Sequence, residues 1–88
     1  MTMAIEKKLI GKVSHYFSKI SVAGIQLSKP LKVGDKISIE GATTKFEEII
    51  DSMQIDNATV ALARAGDNIG IKVKDKTRVG DDVFLITE

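Results

Sequence analysis

The chain has 88 residues, of which 43% are hydrophobic and 28% are charged, and its formal net charge is +1. This length bounds a single domain covering residues 1–88, and the composition excludes a disordered chain. A net charge near zero gives no strong field to attract nucleic acid or an anionic membrane. The absence of cysteine excludes disulfides and thiolate metal sites. Residues 1–10 lack the apolar run of a signal peptide, and no segment approaches the about 20 apolar residues of a membrane helix. We therefore expect a cytoplasmic protein that does not enter a membrane.

The first predicted strand covers about residues 8–17, with Ile10 or Val13 facing the core. A second strand runs from about residue 20 to residue 27, and its apolar phase slips by one residue near Ala23-Gly24. Such a slip is typical of a β-bulge, which bends a strand.

A glycine followed by an aspartate precedes three of the later predicted strands. Each pair is expected to end a type II turn, because glycine readily adopts the positive φ that the second central residue of this turn needs. We expect each aspartate to accept a hydrogen bond from a turn amide, in preference to binding a metal. The pairs are Gly34-Asp35, Gly66-Asp67 and Gly80-Asp81.

In the strands that follow these turns, β-branched or other aliphatic residues recur at every second position, so one face of each should be buried. The lysines between the apolar residues, Lys72 and Lys74, should then lie outside. The residues expected to face one common interior are Ile37, Ile39, Ile69, Ile71, Val73, Val83 and Leu85.

Residues 43–56 predict a further strand, with Ile49, Met53 and Ile55 in one phase. Residues 57–65 are ambiguous, because alanines, an initial asparagine and a terminal glycine also favour a helix. We predict an extended segment or a single turn here, because so short a helix is not stable on its own.

The predicted fold is all-β: a small closed barrel of about six or seven strands within about residues 8–86. Short strands at this spacing favour a barrel, because closure removes the exposed edges of a sheet.

The sequence predicts no catalytic residue, metal site or cofactor. His15 is the only histidine, and a zinc site needs several such ligands. Ser14 and His15 are neighbours in a predicted strand and should point to opposite faces, which excludes them as nucleophile and base. A phosphate-binding glycine motif is missing, so we expect no bound nucleotide and no enzymatic activity.

One positive feature is a row of basic residues. Lys72, Lys74 and Lys76 alternate along a predicted strand and should share its outer face, with Arg78 just beyond. Such a row could contact the phosphates of RNA, with Tyr16 stacking on a base. The alternative interpretation is an ordinary solvated face.

The order and spacing of the glycine-aspartate turns resemble those of two protein families. One is domain 2 of translational GTPases such as elongation factor Tu, and the segments that resemble it are Leu31 to Asp35, Ala65 to Val73 and Val79 to Asp81. The closer resemblance is to the C-terminal β-barrel of the collagenase-like peptidase family. It covers about residues 9–86, and its further counterparts are Ile10 to Phe17, Pro30 to Ile37 and Asp51 to Asp56.

Both resemblances imply a closed barrel of the translation-factor type and transfer no activity, because the catalytic parts of those families have no counterpart here. They imply two possible functions. The first, which we predict, is a module that binds RNA or a ribonucleoprotein through Lys12, Tyr16, Lys72, Lys74, Lys76 and Arg78. The alternative is a protein-interaction module that docks on a separately encoded catalytic partner related to the collagenase-like family.

Overall fold

The computed structural model describes residues 6–87, and all of their regular structure is β-strand. The all-β prediction is therefore confirmed, and residues 57–65 are extended, without a helix. The ten strands are β1 (Glu6–Phe17), β2 (Val22–Leu27), β3 (Leu31–Lys32), β4 (Lys36–Glu40), β5 (Lys45–Ile49), β6 (Met53–Ile55), β7 (Ala58–Val60), β8 (Leu62–Ala63), β9 (Asn68–Lys72) and β10 (Asp82–Thr87).

Eight of these strands form one antiparallel sheet in the order β5-β4-β10-β1-β2-β9-β6-β7. Within the described residues the end strands β5 and β7 do not pair with each other, so the predicted closure into a barrel is wrong. The physical reason is local. Strand β7 has only three residues, and β8 after it leaves the sheet and pairs with β3 instead.

The core lies on the inner face of the curved sheet, and the predicted alternation positions its residues correctly. Ile39 and Ile71 have at most 1% of their surface exposed, and Leu85 is half-buried and packs against the same core. Burying one such side chain contributes about 1.5–3 kcal/mol to folding. Lys72 and Lys74 are exposed, as predicted.

Strand β1 is the centre of the sheet and the place where it bends. Its first half pairs with β10 and its second half with β2, and the register shifts once near Ile10 and once near Ser14. Because of these irregularities both Ile10 and Val13 are buried, although an ideal strand would bury only one of them.

The bulge predicted on the second strand is wrong. Strand β2 begins at Val22 and alternates regularly, and the irregularity lies on β1, opposite Gly24. Ile20 belongs to the preceding turn and is 61% exposed, so its apolar side chain shifts the sequence pattern without marking a buried position.

Residues 43–56 form two strands, and the single phase predicted for them is wrong. Strand β5 pairs with β4 at one end of the sheet, whereas β6 pairs with β7 and β9 at the other end. The connection at residues 50–52 resets the alternation. Ile50 and Met53 are buried as a result, and Ile49 is 58% exposed.

The three glycine-aspartate turns have one geometry, and it is the predicted one. Their glycines have φ values of 92° to 96°. In each turn the aspartate amide donates to the carbonyl of the basic residue three positions earlier, at 3.0–3.1 Å. The aspartate carboxylate accepts from the amide of that same basic residue, at 2.8–3.1 Å. The basic residues are Lys32, Arg64 and Arg78.

Each turn is also joined to a buried residue of a neighbouring strand by two backbone hydrogen bonds. In the last turn, Gly80 donates to the Val13 carbonyl at 2.8 Å, and Val13 donates to the Asp81 carbonyl at 2.9 Å. Gly80 and Asp81 therefore lie opposite the single residue Val13. This is a β-bulge, and its first residue, here Gly80, needs a positive φ. Leu27 and Ile50 have the role of Val13 in the other two turns.

Candidate functional site

The opening in the sheet forms a groove between β5 and the end of β9, with a volume of about 1150 Å³. We call it the seam groove. Its floor is apolar and consists of the buried residues Phe46, Ile50, Ile71 and Val73. Charged side chains of both signs line its rims, among them Lys36, Lys45, Glu47, Glu48, Asp51, Lys72, Lys74 and Asp75.

The rim formed by β5 carries backbone groups that the sheet does not use. The amide and carbonyl of Ile50 bond to the strand segment that leads into β4, and the Thr44 carbonyl accepts from Gly41 at 2.7 Å. Bonded and non-bonded residues alternate along an antiparallel pair. The N–H and C=O groups of Lys45, Glu47 and Ile49 therefore point away from β4 and towards the seam groove.

Glu48 links the two rims of the seam groove, β5 and residues 71–75, between which residues 6–87 make no backbone hydrogen bond. Its half-buried carboxylate accepts from the Lys74 backbone amide at 3.0 Å. Burial raises the pKa of Glu48, and the hydrogen bond from Lys74 and the charge of its ammonium group act in the opposite direction. The negative charge of Asp51 raises this pKa further. Glu48 thus joins the two rims with a side chain that is costly to ionise.

On the outer face, the aromatic residue that points to solvent is Phe17. Its ring is 50% exposed and stacks on the His15 ring, with centroids 6.1 Å apart and planes at 9°. Tyr16 is half-buried and packs against the core, so it presents less of its ring than the sequence suggested. Phe17 lies opposite Val22, which lies opposite Lys72, and residues opposite each other share a face.

The basic residues form a less regular row than the sequence predicted. Strand β9 ends at Lys72, and Lys74 and Lys76 follow in a bent segment, so the expectation of one strand face is wrong. Lys76 and Arg78 are both exposed there. Lys12 lies apart from them on β1, with its ammonium nitrogen 3.8 Å from the Asp82 carboxylate.

Ser14 and His15 are closer than an ideal strand allows. The Ser14 hydroxyl oxygen is 3.4 Å from His15 Nδ1, because the irregularity of β1 turns both side chains to one side. The expectation that they point to opposite faces is therefore wrong. The contact is long, and His15 is exposed, so it lacks the buried partner that orients a catalytic histidine.

Residues 6–87 contain neither a candidate metal centre nor a helix that could span a membrane. This range contains no group of three or more acidic, histidine or cysteine side chains placed to hold a metal ion. It also contains no helix that is long and apolar enough to cross a membrane.

Sequence comparison finds relatives among proteins named as proteases. The chain is 44% identical over 80 residues to an uncharacterized protease of Methanocaldococcus jannaschii, covering 90% of this chain and 20% of the relative. It is 39% identical over 85 aligned residues to collagenases of Porphyromonas gingivalis, covering 90% of this chain and 20% to 22% of each collagenase. The chain thus spans about a fifth of the length of these relatives. No protein-family model matches it.

Structure comparison finds the same fold in a domain of one further protein. Two crystal structures of the C-terminal domain of a Geobacillus thermoleovorans protein named as a U32 peptidase superpose with TM-scores of 0.83. They share 19% and 18% sequence identity and cover 86% and 89% of this chain, and 96% and 91% of those domains. The sequence relatives and the fold together point to the C-terminal domain of the collagenase-like U32 peptidase family.

Proposed function

We propose that this chain is a non-catalytic accessory module that docks on the catalytic region of a collagenase-like peptidase. The observation that supports this is the extent of the similarity. The 44% identical alignment covers 90% of this chain but only 20% of the Methanocaldococcus relative. The two proteins therefore share one small domain, and in the relative this domain accompanies a much larger region. A domain that has its own core, and in which residues 6–87 form no catalytic constellation, would contribute to such a protein through its surface.

An exchange experiment tests this function. In the full-length Methanocaldococcus protein, the 80 residues that match this chain are deleted in one variant and replaced by this chain in another. We expect deletion to lower the thermal unfolding midpoint of the remainder and its proteolytic activity, and replacement to restore both. If replacement restores neither, or deletion changes neither, the domain does not act on the rest of the protein and the proposal is wrong.

A second candidate function is weak binding of single-stranded RNA, and one observation favours it. The exposed Phe17 ring, backed by His15, lies in the same cross-strand row as Lys72. An exposed aromatic ring beside a cation suits a stacked base with its phosphate. The resemblance to domain 2 of translational GTPases, which stays a prediction, is consistent with this role.

Titration of labelled single-stranded RNA at two salt concentrations tests the second function. About three or four phosphate contacts would give a log–log salt slope of about −2 to −3. Phe17→Ala and the triple variant Lys72/Lys74/Lys76→Glu should both weaken binding, the first without changing the salt slope. Wild-type protein that does not bind at low salt, or that binds no better than the triple variant, would leave these residues as a solvated face.

A further inference from the structure

We propose that the seam groove accepts an extended polypeptide segment, supplied by the region that accompanies this domain in its longer relatives, as an added strand on β5. This inference rests on the accessory function proposed above and names the surface through which the module docks. It needs three conditions: a free strand edge, room for one strand beside it, and side chains that select the segment.

The free edge is the row of backbone groups on Lys45, Glu47 and Ile49. Their N–H and C=O groups point away from β4, as the bonding of Ile50 and Thr44 to the β4 side requires. Exposed edges of this kind pair with extended segments of other chains, and the backbone hydrogen bonds then provide much of the affinity.

The room beside this edge fits a single segment better than the edge of another sheet. The far side of the groove is closed by residues 71–75. The Glu48 carboxylate reaches across to the Lys74 amide at 3.0 Å, so a segment added along β5 has to displace this side chain and would accept the Lys74 hydrogen bond in its place. A second copy of this chain would bring β4 alongside its own β5, and the far wall leaves no place for it. The groove therefore favours one extended strand over self-association through β5.

The side chains around the groove define what this segment should contain. Alternate residues of an added strand would point to the floor, where Phe46 and Val73 form an apolar surface. The other residues would lie on the outer face beside Lys45 and Ile49. Glu47 is already paired with Lys36 at 3.5 Å, whereas Lys45 has no ion-pair partner within residues 6–87. We infer a segment that is apolar at alternate positions and places an acidic residue next to Lys45.

Such docking would be weak between separate molecules and effective within one protein. Three residues of β5 offer few hydrogen bonds, and the groove is short. A tether to the rest of the polypeptide raises the effective concentration of the segment and makes a weak contact persistent.

Amide hydrogen exchange in the replacement protein described above tests the inference. We expect the amides of Lys45, Glu47 and Ile49 to exchange at least about tenfold more slowly in that protein than in the isolated chain. The Phe46 and Glu48 amides, which bond to β4 in both, serve as internal references. Exchange in the isolated chain also reports whether each variant is folded.

Two substitutions at Glu47 sharpen the test. Glu47→Pro removes a backbone N–H group that does not bond to β4, and proline is tolerated at such edge positions. Glu47→Gln keeps this backbone N–H group and removes only the side-chain charge that pairs with Lys36. In the replacement protein, the added protection at Lys45 and Ile49 should be lost with Glu47→Pro and kept with Glu47→Gln.

The outcomes separate the two proposals. Slow exchange at the β5 edge that disappears with Glu47→Pro supports the inference. A replacement that restores the unfolding midpoint while these amides exchange as in the isolated chain overturns strand addition and leaves the accessory function standing. A replacement that restores nothing overturns both. If Glu47→Pro fails to fold, the wild-type comparison alone still decides.

Discussion

Replacing Gly66 by alanine tests the turn that leads into β9, and the structure isolates a single cause for the cost. The glycine has a φ of 92°, and a β-carbon added there would meet nothing within 4 Å. Steric contact with neighbours therefore contributes nothing, and the backbone conformation alone is penalised.

The magnitude follows from two opposing terms. A left-handed conformation costs an L-residue about 1–2 kcal/mol, and alanine recovers about 0.4–1 kcal/mol by restricting the unfolded chain. We expect Gly66→Ala to lower the free energy of unfolding by about 1 kcal/mol, which is a fall of about 4–8 °C in Tm for a domain of this size. The same argument applies to Gly34 and Gly80, with φ values of 96° and 94° and equally open surroundings.

Chemical and thermal denaturation, followed by circular dichroism, measure this effect, and the chain contains its own control. Gly70 lies in the middle of β9 without a positive φ, and an added β-carbon would make an ordinary contact of 3.4 Å with Val22. Gly70→Ala should be neutral or slightly stabilising. Gly66→Asn should lose less stability than Gly66→Ala, because asparagine tolerates positive φ. Equal midpoints for wild type, Gly66→Ala and Gly70→Ala would refute the turn geometry.

Three further predictions concern single side chains. Asp81→Ala should cost about 1–3 kcal/mol in chemical denaturation, because the carboxylate is buried and accepts from a backbone amide at 2.8 Å; a smaller loss than for the more exposed Asp35→Ala would contradict this. Burial raises the pKa of Glu48 above its ordinary 4.5, so the folded protein holds this proton to higher pH than the unfolded chain, and the free energy of unfolding falls as the pH rises through the raised value. Glu48→Gln should remove this fall. If the free energies of unfolding of wild type and Glu48→Gln differ by the same amount at every pH, the pKa of Glu48 is not raised in the folded protein. Ile71→Ala should cost about 2–5 kcal/mol by opening a cavity, whereas Ile49→Ala should stay within about 0.5 kcal/mol, because Ile49 is 58% exposed; similar losses would show that Ile49 has a role in stability.

The turns could be predicted from the sequence because their causes lie within four residues. A type II turn requires positive φ at one position, glycine provides it, and aspartate caps the turn; Gly34-Asp35 contains this information without the rest of the chain. The buried face of β9 could be predicted equally well, because its residues alternate strictly between buried and more exposed positions. Strand β10 gives a weaker signal, because residues 83–86 are all apolar and Ile86 is buried as well as Val83.

The open edge of the sheet and the seam groove beside it could not be predicted, because they depend on pairing between strands that are distant in sequence. Alternation identifies the face of a residue and says nothing about the neighbouring strand. Residues 43–56 read as one strand, although the connection at residues 50–52 divides them and resets the phase. The irregularity of β1 near Ser14 had the same effect on the orientation of Tyr16 and Phe17. Asp56 and Asn57 have positive φ, which is typical of a tight hairpin turn. This Asp-Asn pair, just before residue 58, is the local sequence signal that indicates a hairpin there.

The three anchored turns also have a kinetic consequence. Their internal hydrogen bonds join residues only three positions apart, so they can form before any sheet exists. The pairing of β1 with β10 joins opposite ends of the described chain, and such non-local contacts make folding slow. Turns formed early would set where β4, β9 and β10 begin and would shorten the search for register. Turn substitutions would then slow folding more than they speed unfolding, which identifies the turns as part of the folding nucleus.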